Sequence, residues 1–146
     1  MERTEQGVDL PTSVGYLLKE VATALRAEME RVLRPLSMTV THYSCLELLA
    51  QRPGASSSQL ARGTFVTRQS MHVLLQTLER EGHVVRATEP GGGRAMPVEI
   101  TAEGRRRLAV ASAAVRSVEA RMLDGLGDDE ATLRALLQRC RASLRG

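Results

Sequence analysis

Between Ser56 and Thr101 the spacing of apolar residues changes period, and this change restricts the fold more than any other feature of the chain. Up to Glu81 the period is helical, with Met71, Leu74, Leu75 and Leu78 at i, i+3, i+4 and i+7. From His83 onward it is alternating. His83 to Ala87 reads as a strand, Glu89-Pro-Gly-Gly-Gly93 as a turn, and Pro97 to Thr101 as a second strand with Val98 and Ile100 on one face. A β-hairpin with a glycine-rich, Arg94-bearing tip therefore follows directly on a helix. Two antiparallel strands do not stand alone in water, so this hairpin must lean on the helices before it. That combination is a winged helix-turn-helix.

The other elements are helical. Residues 1–11 read as a flexible arm ending at Pro11. A long helix then runs to about Leu33, with Val14, Leu17, Leu18, Val21, Leu25, Val32 and Leu33 at helical spacings, and Pro35 stops it. Thr39 is placed to cap a second helix carrying Tyr43, Leu46, Leu49 and Ala50, which ends at Arg52-Pro53-Gly54. Ser56 and Gln59 fit a capping box, and Gly63 reads as the stop of that short helix. Thr67 caps the next helix, which Gly82 terminates. Thr101 caps another, with Leu108, Ala111, Val115, Val118 and Met122 as its stripe. Gly125 to Gly127 breaks it. Asp128, Asp129 and Glu130 start the last helix, where the macrodipole favours acids. The order is α-α-α-α-β-β-α-α: mainly α with a β-hairpin wing. Residues 37–101 are expected to form the winged lobe, and 12–36 with 102–146 the dimerisation helices.

Charge is distributed unevenly along the 146 residues. Net charge is +3, and Lys19 is the one lysine among 20 bases. Residues 52–107 hold nine bases and five acids, against five and seven before them and six and five after. A basic centre between near-neutral ends suits a polyanion partner. Aromatic residues are 2% of the chain, too few for a platform that stacks single-stranded bases. No apolar run approaches the roughly 18 residues of a membrane span, and the first residues are too polar for a signal peptide. A cytoplasmic protein without a membrane partner is expected.

On the helix from Thr67, the face opposite the apolar stripe carries Arg68, Gln69, His72, Val73, Gln76 and Arg80. Arginine reads guanine, glutamine reads adenine, and an exposed valine meets a thymine methyl. The valine distinguishes this face from an ordinary solvated one, which would more often carry a charge there. Arg94 on the hairpin tip suits a narrow, negative minor groove. Ser57 and Thr67, at the starts of the two helices of the motif, complete the expected DNA-facing set.

Other chemistry finds little in the sequence. His42, His72 and His83 are scattered, and there is no HExxH or CxxC spacing, so no metal and no other cofactor is expected. His42 follows Thr39 by three residues, where its side chain can reach back to the helix start. Cys45 and Cys140 sit among apolar helix positions and read as small structural hydrophobes. No nucleophile elbow is present, so the chain is not expected to be an enzyme. The apolar stripes at the two chain ends suit a homodimer built from the first and last helices, through Leu17, Leu133, Leu136, Leu137, Cys140 and Leu144. A symmetric dimer matches a pseudo-palindromic operator in double-stranded DNA.

The stretch from Leu60 to Gly82 resembles the helix-turn-recognition-helix signature of the MarR family of transcriptional regulators. Arg94 to Gly104 is similar to that family's wing-to-helix signature. The resemblance covers about residues 12–144. It implies a homodimeric repressor with a ligand site between the dimer interface and the DNA-binding lobe, for which a small aromatic or phenolic compound is the family default. Residues near Tyr16, Met38 and His42 are expected to line it. On this pattern Arg94 is the wing arginine, Gly92 stands where the family usually has an acid, and Val73 where many members have an arginine. Peroxide-sensing members have a cysteine near the start of the first helix, and this chain has Tyr16 there but no cysteine. Two alternatives stand beside the repressor: a winged-helix interaction module without DNA binding, and a thiol-based sensor through Cys140.

Overall fold

The structure, a computed structural model, describes residues 7–86 and 97–146. Helix α1 spans Val14–Leu33, α2 Val40–Gln51, α3 Ser57–Thr64 and α4 Arg68–Arg80. Strands β1 (Val84–Arg86) and β2 (Val98–Ile100) follow, then α5 (Ala102–Leu123) and α6 (Asp129–Arg145). The strands pair antiparallel, Val85 facing Glu99. This is the expected winged helix. The hairpin tip expected at residues 89–94 lies outside the described residues, as do residues 1–6. No described helix is long and apolar enough to cross a membrane.

Side-chain caps set most of the helix starts. Ser13, Thr39, Ser56, Thr67 and Thr101 each accept an amide N–H from the first turn of the helix that follows. At Ser56 the box is reciprocal, because the Gln59 side chain accepts the Ser56 amide at 2.9 Å. Such a cap contributes about 1 kcal/mol. For Thr39 the backbone amide of His42 meets the cap, at 3.1 Å, in place of the expected side-chain contact.

Two sequence expectations need correction. Gly63 does not end α3, which continues through Thr64 to a left-handed Phe65 (φ 60°). Leu48 lies against Gly63, where a Cβ would stand 2.3 Å from the movable Leu48 Cδ2. The second concerns the arm. Leu10–Thr12 form a 3-10 turn, with Thr12 donating to the Asp9 carboxylate at 2.8 Å, so local structure begins before Pro11.

The core is built by the middle of the chain. Leu46, Leu49 and Cys45 of α2, Leu60 of α3, and Met71, Leu75 and Leu78 of α4 are fully buried with Val84 and Val98 of the hairpin. Leu108 and Ala111 of α5 and Leu33 at the end of α1 close this core. Gly104 lets α5 approach the hairpin, because a Cβ there would lie 2.3 Å from the His83 carbonyl oxygen. By contrast, α1 buries only Leu33, and α6 buries nothing.

Candidate nucleic-acid interface

Helix α4 is held by its apolar stripe and by its cap. Met71, Leu74, Leu75 and Leu78 face the core, which turns Gln69, Val73, Gln76 and Arg80 outward. Thr67 Oγ1 accepts the Ser70 amide at 3.0 Å and donates to Ser70 Oγ at 3.0 Å. Its hydroxyl is thus engaged in starting the helix. Arg68, Gln69, His72, Val73 and Gln76 are all exposed. Val73 is 56% exposed with no apolar cover. The side chains of His72 and Gln76, one turn apart, approach to 3.4 Å. Arg68 makes no ion pair among the described residues. Ser57 is half-buried at the first turn of α3. Arg94 lies outside the described residues.

Charge around the far end of α4 is more compensated. Arg86 at the base of the hairpin stands 3.8 Å from Glu79, and His83 lies 3.4 Å from Glu81. His42 is half-buried beneath this corner. Burial pushes its pKa below the ordinary value, against the pull of the Glu81 carboxylate and with the help of His83. None of these histidines converges with other ligating groups on a metal site among the described residues.

The expected ligand residues are not brought together within one chain. Tyr16 lines a cavity of about 430 Å³ with Lys19, Glu20 and Thr23. Met38 lines another of about 320 Å³ with Glu30, Arg34, Ser37 and Thr39. His42 lines neither. Tyr16 precedes Leu33 by most of α1, about 26 Å along the axis at 1.5 Å per residue. Near the Met38 cavity, the Arg107 guanidinium of α5 donates to the Leu36 carbonyl and ties α5 to the turn between α1 and α2.

At the other end of the molecule the apolar stripes stay uncovered. Val14, Leu17, Leu18 and Val21 of α1 are exposed, as are Leu133, Leu136, Leu137, Cys140 and Leu144 of α6, with Leu144 at 90%. Sequence reasoning missed one feature here. A cavity of about 310 Å³ opens between α1 and α5, lined by Val21, Ala24, Leu25, Val118 and Met122. Glu28 and Arg121 close its edge as an ion pair at 3.6 Å. Leu25, Val118 and Met122 belong to stripes read from the sequence, but neither stripe alone shows that the two helices meet. Cys45 is buried, and that burial pushes its pKa up to about 12.

Comparison with known proteins decides the family. A profile of the MarR family matches residues 36–95. Over 110 residues, 75% of this chain and 79% of the relative, the sequence is 43% identical to the HTH-type transcriptional repressor Rv2887 of Mycobacterium tuberculosis (strain ATCC 25618 / H37Rv). The chain belongs to the MarR family. The M. tuberculosis MarR family protein Rv2887 in complex with DNA matches with a TM-score of 0.74 at 35% identity, over 88% of this chain and 98% of that one. The same protein in complex with salicylic acid matches with a TM-score of 0.74 at 38% identity, over 88% and 96%. The profile match takes in α2, α3, α4 and β1, so the outward face of α4 lies within the MarR-family portion of the chain.

Proposed function

We propose that the protein is a homodimeric repressor that binds a pseudo-palindromic DNA operator and is released from it by a small aromatic or phenolic ligand. The observation that carries this reading is the outward face of α4: a capped helix, anchored by four buried apolar side chains, that offers Arg68, Gln69, His72, Val73 and Gln76 to a major groove. The 43% identity to a transcriptional repressor supports it. Residues 37–101 are assigned to the DNA-binding lobe, with Ser57 and Thr67 at the helix starts and Arg94, outside the described residues, as a further DNA contact. Residues 12–36 and 102–146 form the dimerisation helices, through Leu17, Leu133, Leu136, Leu137, Cys140 and Leu144. The exposed stripes of α1 and α6 are what such an interface needs.

The cavity at Met38 is the ligand site we favour, with Arg34 as the cation for an acidic ligand. It adjoins the turn that Arg107 ties to α5, where a bound molecule can alter how the two lobes are spaced. A ligand releases DNA only by binding the incompetent spacing better. The salicylic acid complex of the relative supports this ligand class. Mobility-shift titration of the DNA flanking the chain's own gene tests the proposal. A retarded complex that salicylate dissolves is the expected result, and DNA that is never retarded would overturn it.

A further inference from the structure

The outward stripe of α4 is neutral at its centre and basic at its ends. Arg68 opens the helix and Arg80 closes it, with Gln69, Val73 and Gln76 in line between them. Side chains three or four residues apart stand about 5–6 Å from each other, less than two base-pair steps of 3.4 Å. Val73 and its two glutamines therefore face a run of only a few base pairs.

A valine against the floor of the groove makes no hydrogen bond. Opposite guanine or cytosine it would strip water from polar base edges and leave them unsatisfied. Opposite thymine it would cover the C5-methyl group, apolar against apolar. The glutamines fit the same composition. Gln76 Nε2 lies 3.4 Å from His72 Nε2. Donating one N–H to the ring leaves the other N–H and Oε1 for a base. Adenine complements that pair through N7 and its N6 amino group.

Resting on the DNA-binding reading above, we infer that the centre of each half-site is A·T, with a thymine methyl against Val73 and adenine against Gln69 and Gln76. Guanine is confined to the flank that faces Arg68. Val73 is thus a specificity-determining residue that reads a single methyl group.

The test begins with selection of tight-binding duplexes from a random-sequence library by the full-length protein. Each thymine of a selected duplex is then replaced by deoxyuridine, which removes the C5-methyl and leaves base pairing intact. At one thymine per half-site, wild-type affinity should fall about fourfold, the worth of one buried methyl group. The Val73→Ala variant should show a smaller penalty at that position, because the two γ-methyl groups that cover the thymine methyl are gone and only Cβ remains. Val73 is exposed, so this change leaves the core untouched. Selected duplexes with G·C at the half-site centre, or a uracil penalty undiminished in Val73→Ala, would overturn the inference while leaving DNA binding intact. Failure to select any sequence would overturn the DNA-binding reading and this inference together.

Discussion

The Thr101 hydroxyl donates to the Gly82 carbonyl at 2.6 Å and accepts the Gly104 amide at 3.0 Å. One side chain therefore caps α5 and ties it to the turn that ends α4, nineteen residues earlier. The Thr101 amide adds a bond to the His83 carbonyl at 3.0 Å. The end of α4, proposed to read DNA, and the start of α5, assigned above to the dimerisation helices, meet at this joint. Thr101→Val keeps the shape and removes both hydroxyl bonds, so it should cost about 1–2 kcal/mol. Thermal unfolding at matched protein concentration would register this as a fall of several degrees.

Gly104 and Gly63 should respond differently to alanine. At Gly104 the new Cβ meets the His83 backbone carbonyl oxygen at 2.3 Å and Ile100 Cγ1 at 2.8 Å. Backbone cannot step aside without opening the hairpin, and about 2–3 kcal/mol of destabilisation is expected. At Gly63 the obstacle is the tip of Leu48, which can rotate. Replacing a helical glycine also gains about 1 kcal/mol of helix propensity. Gly63→Ala should therefore fall within about 1 kcal/mol of wild type in urea denaturation, and a larger loss would show that Leu48 is locked in place.

The dimer is tested at Leu137, exposed on α6 of the single chain. Aspartate there would bring an uncompensated charge into the proposed apolar interface, at a cost of a few kcal/mol. Light scattering should show the Leu137→Asp variant as monomer or aggregate. An unchanged dimer would place the interface elsewhere.

The two cysteines should differ in reactivity. With its pKa pushed up to about 12, Cys45 carries roughly one thiolate in ten thousand at pH 8. Its sulfur also lies within the core, 4.0 Å from Met71 Sδ. A thiol reagent should modify no more than one site in the native protein, at Cys140, and two after denaturation. Rapid native labelling at Cys45 would contradict the packing described for α2 and α4.

What the sequence disclosed follows from how local each signal is. The α4 stripe and the caps at Ser56, Thr67 and Thr101 depend on residues within one or two turns, and they are found as expected. The change of period at His83 located the hairpin for the same reason. Gly63 was misread because α3 runs past it to a left-handed Phe65, and its one close neighbour is Leu48, fifteen residues away in sequence and beside it only after α2 and α3 pack. Tyr16, Met38 and His42 were expected near one pocket, and within one chain the length of α1 carries Tyr16 far from the turn that holds Met38. The face of α4 was legible because exposure follows directly from helical phase. The cavity between α1 and α5 was not, because no single helix reveals which partner its stripe meets.

The most direct test is fluorescence anisotropy of a labelled, selected duplex titrated with the wild-type protein and with Arg68→Ala. Wild type should saturate at one dimer per duplex and lose roughly 10³-fold in affinity between about 50 and 200 mM salt, as phosphate-dominated binding does. Arg68→Ala should cost about 1–3 kcal/mol on that duplex and narrow its preference over unrelated DNA. Equal affinity of both proteins for selected and unrelated duplexes, or binding indifferent to salt, would contradict the assignment of α4 as the helix that reads DNA.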